Sequence, residues 1–72
     1  MVVFDFSRLR GRIVERYGSC ERFAAAMGRS KVWLSSRLNN AVHWRGPEMR
    51  EAAELLGIFP EEIPSFFLVR KF

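Results

Sequence analysis

Twenty-six consecutive residues, Arg22 to Pro47, carry five basic side chains and no acid. They are Arg22, Arg29, Lys31, Arg37 and Arg45, with the single histidine, His43, among them. The other forty-six residues hold seven basic and eight acidic groups, so the net charge of +4 sits in this stretch. The chemistry on offer is ionic recognition of a polyanion, because each phosphate neutralised by a lysine or arginine releases counterions from a duplex. A solvated basic face with no partner is the competing reading. Catalytic chemistry has no foothold. There are no paired carboxylates, no phosphate-cradling glycine loop and no nucleophile motif. His43 has no cysteine or acid at ligand spacing, and no histidine lies near Cys20 to activate its thiol. The chain reads as a non-enzyme that uses neither metal nor cofactor.

Length limits what can position these groups. Seventy-two residues make one domain, here 1–72. Apolar residues make up 49% of the chain, which argues against disorder. No apolar run is long enough to span a membrane, and no charged segment followed by an apolar stretch marks a signal peptide. The lone Cys20 cannot form an internal disulfide and suits a reducing compartment. The expected location is the cytoplasm.

The spacing predicts an all-α fold of four to five short helices. Asp5 or Ser7 can cap the first, whose inward stripe is Phe6, Leu9, Ile13 and Tyr17. Arg8, Arg10, Arg12, Glu15 and Arg16 fall mostly on its other faces. Gly18 ends it and Ser19 caps the second, with Glu21 complementing the dipole. Ser30 caps the third, which runs to about Asn39. A loop, Asn40 to Gly46, leads to Pro47 at the first position of a fourth helix. Its apolar stripe is Met49, Ala52, Ala53 and Leu56, with Gly57 closing it and Ile58 packing behind. Pro60 to Ile63 is expected to make one more turn, stopped by Pro64. The termini differ. Met1 to Phe4 and Ser65 to Phe72 are strand formers without helical period, open to pairing as short strands. The tail residues Phe66, Phe67, Leu68, Val69 and Phe72 are too apolar to hang in water, so they serve as a candidate dimer contact or fold inward.

The most specific pattern lies inside the basic stretch. Phe23, Ala24 and Met27 line the inner side of the second helix, and Leu34 and Leu38 that of the third. Ala24 lets another helix cross closely. Gly28 follows four residues later at the turn, and Leu34 six after that. This is the spacing of a helix-turn-helix.

The stretch Cys20–Ser30 with Val32–Asn40 resembles the helix-turn-helix of phage Cro and repressor proteins. Over nearly its full length the chain is similar to a family of small phage regulators, through Asp5-Phe6-Ser7-Arg8-Leu9-Arg10-Gly11 and Ile63-Pro64-Ser65-Phe66-Phe67. The resemblance implies that the third helix reads the major groove. Lys31 would reach a guanine edge, Val32 a thymine methyl, and Ser35 and Ser36 a base edge or phosphate. Arg29, Ser30, Arg37, Asn40, His43 and Arg45 would hold phosphates. Cys20 departs from the family, which usually has a phosphate-binding glutamine there. The plainer readings make Lys31 and Arg37 solvated charges and Ser35 and Ser36 small residues at a helix contact. Trp33 either stacks on Arg37, four residues away, or packs near Trp44.

The expected function is sequence-specific binding of double-stranded DNA by a homodimeric transcriptional regulator of a phage or prophage, acting in the host cell. The alternative is a module that binds a partner regulatory protein, such as an antirepressor masking a repressor's DNA-binding surface. The apolar tail favours the alternative.

Overall fold

The computed structural model describes residues 2–71. Met1 and Phe72, which the sequence groups with the two apolar termini, lie outside the described residues, so Phe72 as a dimer contact does too. The chain folds as α1 (Ser7–Tyr17), α2 (Cys20–Ala26), α3 (Lys31–Leu38), α4 (Gly46–Leu56), a 3₁₀ turn (Pro60–Glu62) and α5 (Ile63–Phe67). This is the expected all-α class.

Local chemistry sets the boundaries. The Ser19 hydroxyl accepts the Arg22 amide at 3.1 Å and opens α2. Ser30 does the same for α3 through the Trp33 amide at 3.0 Å. Asp5 Oδ1 accepts the Ser7 amide at 2.9 Å, ahead of the first turn of α1. That amide bond holds the Asp5 carboxyl below its usual range. Gly28 sits at φ +70° between α2 and α3, where a side chain would be strained. The turn is closed by the Arg29 amide donating to the Ala24 carbonyl at 2.9 Å.

The inward stripes meet in one core. Leu9 and Ile13 of α1, Phe23 and Ala24 of α2, Leu34 of α3, and Ala52 and Leu56 of α4 are fully enclosed. Met27 and Leu38 are also buried, so the inner faces assigned to the second and third helices do point inward. Several basic residues of α1 bind the fold rather than solvent. Arg12 donates to the Leu56 carbonyl at 3.0 Å, and Tyr17 Oη to the Leu55 carbonyl at 3.1 Å, at the end of α4. Arg10 reaches Asn39 Oδ1 at 3.0 Å, at the end of α3. Cations and donors at helix C-termini satisfy carbonyls that have no partner within the helix.

The C-terminal tail corrects the sequence expectation. Pro64 does not stop a helix; it sits in the first turn of α5, where its missing N–H removes no bond. Phe66 and Phe67 are helical and only 2% and 1% exposed, so they form part of the core and are not available to a dimer contact. The Arg8 guanidinium lies 4.2 Å from the Phe66 ring centre, and its Nη1 donates to Ser65 Oγ at 2.9 Å. Beyond α5 the chain turns back along the N-terminal segment. The Asp5 amide donates to the Val69 carbonyl at 2.7 Å and the Lys71 amide to the Val3 carbonyl at 2.9 Å, around a single antiparallel bridge between Phe4 and Arg70. Leu68 and Val69 keep partly exposed side chains. Among the described residues no helix is long and apolar enough to cross a membrane.

The tail is therefore structural. Phe67→Ala should cost about 3–5 kcal/mol, a large share of the stability of so small a domain. Truncation after Pro64 should abolish the helical circular dichroism signal. A truncated chain that melts cooperatively near the intact temperature would remove the tail from the core.

Candidate functional site

With Leu34 and Leu38 buried, α3 turns Lys31, Val32 and Ser35 outward. Val32 is 77% exposed, more than any other large apolar side chain among the described residues. Around it lies a shallow hollow of about 500 Å³, lined by Lys31, Val32, Ser35, Ser36, Asn39 and Ala41. All four residues assigned to base contacts thus line one concavity. Not all of them offer free polar groups. Ser36 Oγ donates back to the Trp33 carbonyl at 2.8 Å, and Ser35 Oγ accepts from Asn39 Nδ2 at 3.2 Å.

The residues assigned to phosphate contacts divide in two. Arg29, Lys31 and Arg45 are exposed, and among the described residues none of them is in an ion pair. Ser30 is exposed but its hydroxyl caps α3. His43 is exposed, with its ring edge-on to Phe4 at 6.1 Å. Arg37 and Asn40 are committed elsewhere. Asn40, at φ +63°, accepts the Phe4 amide on Oδ1 at 2.8 Å and donates from Nδ2 to the Phe4 carbonyl at 3.0 Å. Its side chain acts as a strand partner for the N-terminal segment and is not free for a phosphate.

Arg37 is held more firmly still. Its Nε donates to Glu48 Oε1 at 3.1 Å and its Nη2 to Oε2 at 3.3 Å, a two-pronged pair whose side chains are each only 12% exposed. The guanidinium also stacks 4.0 Å from the Trp33 ring centre and reaches the Trp33 carbonyl. Trp33 in turn meets Trp44 edge-on at 5.7 Å, and Trp44 meets Phe67 at 5.0 Å. Stacking on Arg37 and packing near Trp44, posed as alternatives for Trp33, occur together. Glu48 was not among the sequence candidates. The available signal was its place three residues after Arg45, where its Oε1 accepts the Arg45 amide at 3.0 Å and caps α4. Burial opposes ionisation of Glu48. The Arg37 hydrogen bond, the Arg45 amide and the charges of Arg37 and Arg29 outweigh it and hold the carboxyl below its ordinary value of 4.5.

Among the described residues no group of histidines, cysteines or acids could hold a metal ion. Cys20 is a free, half-buried thiol packed against the core. It supplies no donor of the kind the resembling family's glutamine offers.

A depressed carboxyl pKa adds stability above its unfolded-state value and loses it as pH falls through the folded one. Acid destabilisation should therefore set in below about pH 4.5 and be shallower in Glu48→Gln, with Asp5 supplying part of what remains. At neutral pH, Arg37→Ala strands a largely buried carboxylate. It should lower stability by about 3 kcal/mol, and the melting temperature by more than about 10 °C. An Arg37→Ala protein with unchanged melting would show the pair to be a surface ornament.

Residues 2–70 match the family described as "Protein of unknown function (DUF739)". The fold is also that of the modulator of repression (MOR) of the temperate bacteriophage TP901-1 from Lactococcus lactis, known from its solution structure. The two chains are 39% identical with a TM-score of 0.81, over 89% of this chain and 86% of that one. No curated protein matches the chain. A match over residues 2–70 spans almost the whole sequence, and the chain belongs to this DUF739 family.

Proposed function

We propose that the chain is a phage regulator that acts by binding another protein, docking its α3 face onto a repressor and masking the surface that repressor uses for DNA. The observation that carries this reading is the composition of the α3 face. Its centre is an apolar knob, Val32, over a hollow with Ala41 and two hydroxyls that are already bonded. Two of the groups that would have gripped phosphates, Arg37 and Asn40, hold the fold together instead. An apolar centre with a polar rim is the anatomy of a protein interface. The likeness to a phage modulator of repression supports the same class.

Lys31, which lines the hollow, and the exposed Arg29 and Arg45 would repel the cations of a DNA-binding surface. The contact therefore lies where acidic groups of the repressor border that surface. Masking is then steric. A body of 30 × 26 × 21 Å seated beside a reading helix leaves no room for a duplex whose major groove is only about 12 Å wide.

The reading as a helix-turn-helix DNA binder rests on a different observation, the exposed cations Arg29, Lys31 and Arg45 in a stretch of sequence that holds no acid. The two readings separate in titrations. For protein docking, Val32→Asp should weaken binding to the repressor of the same phage by about thirtyfold or more. The intact chain should leave random duplex unshifted at physiological salt. For DNA binding, random duplex should be bound with a slope near −3 in log K against log salt, as three phosphate contacts imply. Arg45→Ala should then shallow that slope by about one, and Lys31→Ala should relax preference at single base pairs. A salt-sensitive duplex shift together with no repressor complex would overturn the docking reading.

A further inference from the structure

The corner between α4 and the 3₁₀ turn carries a second surface, distinct from the α3 face. Phe59 stands there 66% exposed. It occupies the position that caps the 3₁₀ turn, where a serine, threonine or aspartate would accept a free amide. A phenyl ring accepts none. The exchange at this turn comes from Glu62, which receives the Phe59 amide at 3.2 Å. The ring thus leaves a large apolar surface in water without serving the turn it begins. The two chain neighbours of Phe59, Ile58 and Pro60, line a hollow of about 360 Å³ together with Ala53, Ile63, Arg50 and Glu54. Among the described residues neither of these two charges is in an ion pair.

A knob and a hollow side by side, edged by one charge of each sign, make a self-complementary patch. We infer that this corner is the contact of a homodimer, in which Phe59 of each copy enters the hollow of the other. Under a two-fold axis every contact is made twice, and Arg50 of one copy faces Glu54 of the second. A foreign partner would have to supply a matching hollow, a matching knob and both opposite charges, whereas a second copy carries all four. The axis leaves the α3 faces free. Glu48, in the first turn of α4, is tied to α3, whereas Phe59 follows the last turn. The eight helical steps from Glu48 to Leu56, at 1.5 Å each, set them about 12 Å apart along α4. Each phenyl ring buries about 150–250 Å². The total stays below the roughly 1,200 Å² of stable complexes, so the dimer is weak and concentration-dependent.

Sedimentation equilibrium of the full chain, from micromolar to millimolar and with reductant to keep Cys20 free, tests this. The intact chain should rise from 8.4 kDa toward twice that mass. Phe59→Ser should raise the dissociation constant at least about tenfold. Its helical circular dichroism should be kept, because serine supplies the capping hydroxyl. Arg50→Glu and Glu54→Arg should each weaken the dimer, and the two together should restore it. Because both positions are exposed on α4, they test the contact independently of any effect at Phe59. A chain that stays monomeric to millimolar concentration, or a Phe59→Ser variant that dimerises like the parent, would overturn the inference. A double charge exchange no better than either single change would overturn the two-fold register.

Discussion

Among the described residues no helix is long enough to be stable by itself. The five span 11, 7, 8, 11 and 5 residues, and isolated helices below about 12–15 residues are marginal in water. Each must therefore be held by contacts outside its own hydrogen-bond ladder. The enclosed side chains of α1, α2, α3 and α4 provide the first of these. The serine caps of α2 and α3 provide the second. The third is unusual in extent: side chains of α1 reach the carbonyl ends of both α3 and α4. One central helix thereby closes two others, and the shortness of all of them explains why so many polar side chains are used in this way.

That constraint changes the meaning of the net charge. Arg10 and Arg12 satisfy helix ends, Arg8 covers the Phe66 ring, and Arg37 joins α3 to α4 through Glu48. Within the basic stretch Arg22, Arg29, Lys31 and Arg45 stay exposed and, among the described residues, outside any ion pair, and of these Lys31 borders the hollow at Val32. A duplex would be gripped by what remains, but an apolar knob at the centre is of little use against phosphates. The same knob is the kind of group that supplies affinity when it enters a protein pocket. The fold thus commits part of a cation-rich stretch to its own packing, Arg37 through Glu48 and Asn40 through Phe4.

Helix positions were legible because their signals are local. Ser19 and Ser30 announce α2 and α3, Gly28 marks the turn, and the spacing of Ala24, Leu34 and Leu38 identifies their inner sides. The tail was not legible. Phe66-Phe67-Leu68-Val69 has no period, and burial of two aromatic rings, Phe66 under Arg8 of α1 and Phe67 against Trp44, outweighs the strand preference of the run. Pro64 reads equally well as a stop or as a first-turn residue, and only the position of α5 decides. The site was half legible. The outward set on α3 followed from helical rotation, whereas the fates of Arg37 and Asn40 depend on Glu48 and Phe4, partners eleven and thirty-six residues away. Non-local pairing of polar groups leaves no periodic trace.

The buried tail and the α3 face are not independent. Phe67 packs on Trp44, Trp44 on Trp33, and Trp33 lies under the guanidinium of Arg37. Trp33 is the residue after Val32, and its carbonyl accepts both the Ser36 hydroxyl and Arg37. The aromatic chain therefore runs from α5 to the backbone of α3 beside the hollow at Val32. Close-packed aromatic contacts transmit a shift of one ring to the next instead of absorbing it. Asn40 makes a second link, since the same N-terminal segment that it clamps is paired with the tail. A change in α5 therefore reaches the shape of α3 through these contacts. The buried rings of the tail, Phe66 and Phe67, thus shape α3 from inside the domain.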